Sequence, residues 1–260
     1  MASETVQFEM VGFVGKITLN RPSVFNSFNR EMALALQEAL DHCATSNEVR
    51  SIYLTATGKA FCAGQDLQEA IDANGPGIER IVHEHYNPII LKIRSIEKPI
   101  VCAVNGVAAG AGANIALACD ITIAKESSNF IQAFSSIGLI PDSGGTYFLP
   151  RLIGRQKATA LMMLADKVSA TEAEKMGMIY QVLPDEGFEK ASMKLADRLA
   201  RRPTVGLGLT KRLLNETFEN SLEKQLSREG EEQIVAASSH DYNEGVQAFL
   251  EKRKPAFTGK

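Results

Sequence analysis

The sequence predicts an α/β fold over about its first 150 residues, followed by a helical tail of roughly a hundred residues. Segments rich in β-branched residues alternate with segments of helical period, which is typical of βαβ units. Two glycine-rich turns directly follow predicted strands. Beyond residue 150 the strand signals fade and helix-like segments succeed one another.

The first βαβ unit is predicted between residues 11 and 56. VGFVGKITL at 11–19 alternates as a strand does, and the loop NRPSVFNS follows it. Residues 29–43 carry a helical apolar stripe, and RSIYLTA at 50–56 is typical of a buried strand. The stripe consists of Met32, Leu34, Leu36 and Leu40.

The same pattern repeats along the chain. It predicts a helix at 78–96, a strand at 98–106, a helix beginning near Gly110, and strands at 120–126 and 129–134. The tail contributes helix-like segments, several of which open with Ser, Thr or Asp caps. They are 155–165, 169–178, 187–202, 205–219 and 241–254.

Composition excludes several classes of protein. Hydrophobic residues at 45% and charged residues at 23% are ordinary for a globular protein. The net charge of −3 offers no basic surface for nucleic acid. The apolar stretches are interrupted by Gly, Asn and Asp, and the N-terminus lacks the pattern of a secretory signal. We therefore expect no nucleic-acid partner, no membrane segment and a cytoplasmic location.

Cysteine and histidine residues do not suggest a disulfide framework or a metal site. Cys43, Cys62, Cys102 and Cys119 lie in apolar runs without CxxC spacing, which favours reduced, packed thiols. Among the four histidines only His83 and His85 are close in sequence, and their spacing suits no helical face. We expect no bound metal.

Two glycine-rich segments are candidate ligand sites. KAFCAGQDL at 59–67 follows one predicted strand, and NGVAAGAGANIAL at 105–117 follows another and leads into a helix. Glycine allows a backbone to approach a ligand closely, and free amides at a helix start bind anions. Each segment alone is weak evidence, because small-residue turns at strand ends are common for packing reasons. The GxGxxG spacing of dinucleotide sites is not met, which disfavours a nicotinamide enzyme.

A third segment, FSSIGLIPDSGGTYFLPRLIG at 134–154, contains Asp142 between a proline and Ser-Gly-Gly-Thr. Taken alone, Asp142 is an ordinary turn residue or helix N-cap.

Together, several ordered segments resemble the crotonase (enoyl-CoA hydratase/isomerase) superfamily over nearly the whole chain. They are ITLNRP at 17–22, AFCAGQDL at 60–67, KPIVCAVNGVAAGAGANIALACDI at 98–121, IGLIPDSGGTYFLPRLIG at 137–154, SATEAEKMGMI at 169–179 and EGVQAFLEKRKPAF at 244–257. The resemblance implies a spiral of ββα turns. Its core, with the CoA and oxyanion site, would span 1–195, and a helical trimerisation region would span 196–260.

The superfamily holds a thioester oxygen in an oxyanion hole made of two backbone amides. By motif, these amides belong to Gln65 and Ala111. The resemblance implies a cofactor-independent enzyme in which coenzyme A is part of the substrate. The implied substrate and CoA contacts are Ala63, Gly64, Gln65, Asp66, Leu67, Gln68, Gly110, Ala111, Asn114 and Phe134.

Hydratases of the superfamily activate water with two glutamates, but this chain has Asn114 and Phe134 at those positions. Asp142 occupies a third position that faces the thioester in related isomerases. IPDSGGT, with YNP at 86–88, is similar to the isomerase branch that acts in phenylacetate degradation. That branch converts ring-1,2-epoxyphenylacetyl-CoA into its oxepin and moves a double bond from the 3 to the 2 position of an enoyl-CoA.

Other functions stay open at this point. They are a general fatty-acid enoyl-CoA isomerase, a hydratase-like enzyme, and a catalytically silent member that binds CoA or RNA. A dehalogenase branch uses a histidine where this chain has Asn87, which disfavours that activity. A homo-trimer or hexamer is expected from the resemblance. Lys252, Arg253 and Lys254 resemble a tail that lies near the CoA phosphates, although a solvated charge run is equally compatible.

Overall fold

The computed structural model describes residues 3–260. Its strands form a six-stranded sheet, in the order β1-β2-β3-β5-β7-β10, and a four-stranded sheet, in the order β4-β6-β8-β9. The strands are β1 (Val6–Val11), β2 (Val14–Leu19), β3 (Ser51–Ala56), β4 (Ala60–Cys62), β5 (Ile100–Val104), β6 (Val107–Ala109), β7 (Ile121–Lys125), β8 (Asn129–Ile131), β9 (Lys167–Ser169) and β10 (Gln181–Leu183).

The chain alternates between the two sheets and thereby builds a spiral. β3, β5 and β7 are parallel neighbours in the large sheet, and β4, β6 and β8 are parallel neighbours in the small one. Each pair of consecutive strands thus adds one strand to each sheet before the next crossover. This arrangement is the predicted spiral of ββα turns, and it brings the ends of β4, β6 and β8 together at one edge.

Twelve α-helices complete the described residues. They are α1 (Arg30–Thr45), α2 (Leu67–Ile71), α3 (Gly77–Arg80), α4 (Asn87–Ser95), α5 (Ala111–Ala118), α6 (Gly145–Ile153), α7 (Arg155–Leu164), α8 (Ala170–Lys175), α9 (Phe188–Ala200), α10 (Thr204–Glu216), α11 (Leu222–Ala237) and α12 (His240–Leu250). A π-helical turn at Ile81–Tyr86 connects α3 to α4, and 3-10 turns lie at Pro22–Val24 and Ala133–Ile137.

The main apolar core includes residues of both sheets and of α1, α4 and α5. A second cluster lies where α9 packs on the six-stranded sheet. There the buried hydroxyls of Tyr53 and Ser192 lie 2.7 Å apart. The domain boundary predicted at residue 195 falls inside α9, whose apolar face continues the core of the sheet.

Two polar side chains attach the helical region to the core. Asp120, directly before β7, forms salt bridges with Lys211 of α10 (2.8 Å) and Arg94 of α4 (3.0 Å). Arg50 donates to the carbonyl oxygens of Arg202 and Phe257 at 2.8 and 2.9 Å. The last residues of the chain are therefore folded back against the sheet.

Most predicted elements are confirmed, and the differences have local causes. The strand predicted at 11–19 begins only at Val14, because Gly12 has a φ of +61° and turns the chain into a hairpin with β1. The unpredicted strands β4, β6, β9 and β10 are three residues long, too short for a period-2 pattern. Helix α11 was also not predicted, because it is mostly exposed and its apolar stripe is sparse.

The four cysteines are free and buried, as expected from their apolar surroundings. None of the helices in residues 3–260 combines the length and apolar character that a membrane span needs. Within the same residues, no three His, Cys, Asp or Glu side chains are grouped as ligands for a metal ion.

Candidate active site

Both predicted oxyanion amides lie at one edge of the small sheet because β4 and β6 are adjacent and parallel. β4 ends at Cys62, three residues before Gln65, and β6 ends at Ala109, two residues before Ala111. Within the described residues, neither the Gln65 amide nor the Ala111 amide donates a hydrogen bond to a protein group. Two free N–H groups are thus available together, as stabilisation of an oxyanion requires.

Glycines permit the close approach of these two turns. Gly64 has a φ of +96°, and a Cβ atom built on it would lie 3.2 Å from the Ala109 carbonyl oxygen and 3.7 Å from the Ala111 nitrogen. Gly110 has a φ of +52° and packs against Gly64 and the Phe134 ring. Any side chain at Gly64 would therefore occupy the space beside the Ala111 amide.

The turn that contains Gln65 is held from both sides. The Phe28 amide donates to the Gly64 carbonyl oxygen (2.7 Å), and the Asp66 amide donates to the Phe28 carbonyl oxygen (2.8 Å). The Asp66 carboxylate caps α2 by accepting from the Gln68 amide, and it also accepts from Arg21 at 3.0 Å. Backbone and side-chain contacts together thus fix the direction of the Gln65 amide.

The Gln65 side chain is itself held by two groups. The Tyr86 hydroxyl donates to its Oε1 atom (2.7 Å), and its Nε2 atom donates to Glu69 (3.2 Å). Tyr86 is fully buried, and burial raises the pKa of its hydroxyl well above the ordinary value, with smaller contributions from the acidic groups at Cys62, Asp142 and Glu69. Tyr86 ends the π-helical turn, a feature that is frequent at functional sites.

We expect Tyr86→Phe to lower kcat by roughly 10-fold while leaving KM nearly unchanged, because loss of one hydrogen bond loosens Gln65 without removing a substrate contact. Steady-state kinetics measures this split. Tyr53→Phe is a matched control, since it removes an equally buried hydroxyl that bonds to Ser192 on α9. Equal kcat losses in the two variants would assign the Tyr86 effect to general destabilisation.

Asp142 lies three residues before the start of α6, in a half-buried position. Burial raises the pKa of its carboxyl above the ordinary value, and a hydrogen bond from the Ser143 hydroxyl (2.9 Å) partly opposes that rise. Its negative charge contributes to the raised pKa of the Tyr86 hydroxyl, the group that donates to Gln65. A carboxylate with a raised pKa is a stronger proton acceptor.

Ser143 gives this turn an uncommon backbone. It is buried and has a φ of +50°, a left-handed conformation that costs a non-glycine residue on the order of 1–3 kcal/mol. Gly144 continues the turn at φ +72°, and the Gly145 amide donates to the Asp142 carbonyl oxygen at 2.9 Å. The turn therefore holds Asp142 in one defined position before the helix.

The predicted substrate contacts divide into two groups. Ala63, Leu67 and Gln68 are exposed around the Gln65 turn, which leaves them accessible to a ligand. Phe134 is buried against Gly110. Asn114 is buried, and its side-chain amide donates to the Asp142 carbonyl oxygen and accepts from Gln132.

Two arginines that could contact the CoA phosphates are already paired with other groups of the protein. Arg21, a further basic candidate in the loop after β2, donates to Asp66 and to the Ser27 carbonyl oxygen. Arg253 forms salt bridges with Glu244 and Glu251. These pairings weaken the expectation that either guanidinium holds a phosphate.

Sequence reasoning missed three residues of this site: Glu69, Ser143 and Gln132. Glu69 lies on α2 but Gln65 precedes that helix, so no helical spacing indicated their contact. Gln132 follows β8 directly, and a polar residue at the end of that strand was the available signal. Ser143 had no signal, because its role depends on the conformation of the turn.

Comparisons with known proteins agree with this geometry. The family model described as enoyl-CoA hydratase/isomerase matches residues 9–260. The chain is 48% identical to the 1,2-epoxyphenylacetyl-CoA isomerase of Escherichia coli K12, over 94% of each chain. It is 43% identical, over all of both chains, to a Rhodobacter capsulatus protein described as a probable enoyl-CoA hydratase.

A solved structure has the same fold. The enoyl-CoA hydratase of Bacillus anthracis superposes with a TM-score of 0.92 at 31% identity, covering 98% of this chain and 100% of that one. The match includes the sheet edge where the two amides meet and the helices that follow it. The chain belongs to the enoyl-CoA hydratase/isomerase family, within the crotonase superfamily.

Proposed function

We propose that this chain is an acyl-CoA thioester isomerase in which Asp142 is the base. The observation that carries the proposal is the meeting of two free amides at one sheet edge, with a half-buried carboxylate of raised pKa on the adjoining turn. Asn114 and Phe134 stand where hydratases carry their glutamates. Activation of water would then lack its acid and its base.

In the proposed reaction on a 3-enoyl-CoA, the Asp142 carboxylate removes a proton from C2. The electron pair moves toward the thioester carbonyl, and the resulting dienolate oxygen accepts hydrogen bonds from the Gln65 and Ala111 amides. The Asp142 carboxyl group then returns the proton to C4, which leaves a 2-enoyl-CoA. Proton and electrons balance within the substrate, so this reaction needs no cofactor.

For the preferred substrate we propose 2-(1,2-epoxy-1,2-dihydrophenyl)acetyl-CoA, with the oxepin-CoA as product. The Escherichia coli relative at 48% identity carries that activity in its name, which supports the choice. Both this substrate and a 3-enoyl-CoA have an acidic CH2 group next to the thioester carbonyl, so one base beside C2 serves both. A general enoyl-CoA isomerase is the alternative.

Turnover of the epoxide alongside a panel of 3-enoyl-CoA chain lengths tests this choice. We expect the largest kcat/KM for the epoxide and a smaller value for the aliphatic substrates. A clear preference for an aliphatic 3-enoyl-CoA would favour the general isomerase. Turnover of none of them would leave a CoA-binding protein without this activity.

We expect hydration of crotonyl-CoA to be negligible, because no carboxylates stand at positions 114 and 134 to position and activate water. Formation of 3-hydroxybutanoyl-CoA, followed by chromatography, measures it. A family hydratase assayed in parallel is the control for substrate quality. Efficient hydration by the unmodified chain would place its catalytic carboxylates elsewhere.

We also propose a homo-trimer or a dimer of trimers. Many large apolar side chains of the C-terminal helical region are exposed in the single chain, among them Leu214, Phe218, Leu222, Leu226, Ile234, Phe249 and Leu250. Exposed apolar surface of this extent marks an interaction site. Light scattering is expected to give three or six times the chain mass, whereas a stable monomer at micromolar concentration would contradict the proposal.

A further inference from the structure

Two buried side-chain amides connect the end of β8 to the turn that carries Asp142. Gln132 Nε2 donates to Asn114 Oδ1 at 2.8 Å, and Asn114 Nδ2 donates to the Asp142 carbonyl oxygen at 2.9 Å. Asn114 is 1% exposed and Gln132 is 2% exposed. The two hydrogen bonds thus run in one direction: Gln132 donates to Asn114, and Asn114 donates to Asp142.

We infer that Gln132 and Asn114 form an amide relay that positions the catalytic base, and that Gln132 is a positioning residue of the isomerase. This inference rests on the proposed function, since it assigns Gln132 a role through Asp142. Asn114 then acts as an internal support. It does not stand in for a hydratase glutamate that would contact substrate.

The relay also connects the base to the oxyanion hole. Gln132 directly follows Ile131, whose carbonyl oxygen accepts from the Gly110 amide at 2.9 Å. Gly110 precedes the Ala111 donor. One strand end therefore sets the position of the oxyanion turn through its backbone and of the Asp142 turn through a side chain. A shift of either site relative to the other would disturb this shared anchor.

Packing around Asn114 leaves no room for a longer side chain. A Cβ atom on Gly145 would lie 2.4 Å from Asn114 Nδ2, so the backbone of α6 lies directly against the amide. A glutamate at position 114 would bring a negative oxygen toward the Asp142 carbonyl oxygen in place of a donor. The absence of a hydratase glutamate here is thus coupled to the presence of the Asp142 turn.

The orientation of the Asn114 amide depends on the one hydrogen bond that Gln132 donates to it. Within residues 3–260, its Oε1 atom has no hydrogen-bond partner. In Gln132→Glu, which has nearly the same shape, a carboxylate oxygen would face Asn114 Oδ1. The Asn114 amide would have to rotate, and its oxygen would then face the Asp142 carbonyl oxygen. Asn114→Asp removes the second donor directly.

The test compares kcat and KM of Gln132→Glu, Asn114→Asp and the double variant with a 3-enoyl-CoA. Each single variant is expected to lose roughly 10- to 100-fold in kcat with KM within about 2-fold, because a misplacement of about 1 Å can cost 100-fold. The double variant should lose little more than either single one, since residues of one network are not additive. Additive losses would contradict the relay.

Thr122→Val is the matched control. It removes a buried hydrogen bond of 2.6 Å to the Ala116 carbonyl oxygen near the far end of α5 and should keep kcat. If Gln132→Glu does not fold, Gln132→Met removes the donor without a charge, and the same kcat loss is expected. If Asp142→Asn is inactive but the Gln132 variants keep the wild-type kcat, the relay is wrong and the proposed function stands. If Asp142→Asn is active, the proposed function itself is wrong.

Discussion

Replacing Asp142 by Asn is expected to lower kcat for 3-enoyl-CoA isomerisation by about 100- to 10,000-fold, the usual contribution of a positioned acid/base group. Asn keeps the shape of the side chain and its contact with Ser143, but it cannot accept a proton at C2. Binding of the CoA thioester should be retained, because the Gln65 and Ala111 amides are unchanged. Steady-state kinetics and calorimetric binding measure the two effects separately.

The stability of Asp142→Asn shows whether its loss of kcat comes from unfolding. Burial raises the pKa of Asp142 in the folded chain, so folding favours the protonated carboxyl. The associated stability is fully present below the ordinary pKa of aspartate and is lost as the pH rises through the folded-state value. At neutral pH, Asp142→Asn should therefore be at least as stable as the wild type, with a difference that diminishes at acid pH. A large loss of stability would make the kinetic result uninterpretable.

The same raised pKa predicts the pH dependence of the wild-type enzyme. The base must be ionised to accept a proton, so kcat/KM should fall on the acid side as Asp142 becomes protonated. Because burial raises that pKa, the fall should begin at a higher pH than an exposed aspartate would give.

Replacing Gly64 by Ala is expected to lower kcat by about 100- to 1,000-fold, the loss typical of one oxyanion donor. The new Cβ atom would lie 3.7 Å from the Ala111 nitrogen and 3.2 Å from the Ala109 carbonyl oxygen. The contact with the Ala109 carbonyl oxygen is tighter than an ordinary van der Waals contact, so one turn must shift, and the methyl group occupies space beside the Ala111 amide. Single-turnover kinetics at saturating substrate measures the loss.

Gly187→Ala separates this effect from backbone strain. Gly187 also has a positive φ, of +72°, but a Cβ atom there meets nothing within 4 Å. Both variants place a Cβ atom on a residue with a positive φ, whereas only Gly64→Ala obstructs the amide pair. Similar kcat values for the two variants would contradict the assignment of the oxyanion hole.

The two oxyanion turns could be predicted from the sequence individually, but not as a pair. Glycine-rich segments after predicted strands indicated two backbone anion sites, and a parallel sheet brings adjacent strand ends together. The pairing of these two turns with each other came from the family resemblance, because periodicity does not order the strands. In the structure β4 and β6 are adjacent, and this adjacency places the two turns side by side.

The catalytic role proposed for Asp142 could not be predicted from the local sequence alone. Its local sequence, Pro-Asp-Ser-Gly-Gly, is typical of a turn, and only the resemblance raised it to a catalytic candidate. Its carbonyl oxygen accepts from Asn114 of α5, which accepts from Gln132 after β8, and these residues come from separate parts of the chain. Contacts between residues so distant along the chain leave no periodic signal. Only the side-chain contacts of the folded chain reveal the relay.

Transfer of deuterium from a labelled substrate tests the central claim, proton transfer by Asp142, most directly. A 3-enoyl-CoA with two deuterium atoms at C2 is incubated in ordinary water with wild type, Asp142→Asn or Gly187→Ala, and mass spectrometry follows deuterium at C2 and C4 of the product. We expect wild type and Gly187→Ala to remove one deuterium from C2 and deliver it to C4, and Asp142→Asn to do neither at a comparable rate. Removal of deuterium from C2 by Asp142→Asn at the wild-type rate would show that another group removes the proton and would contradict the account.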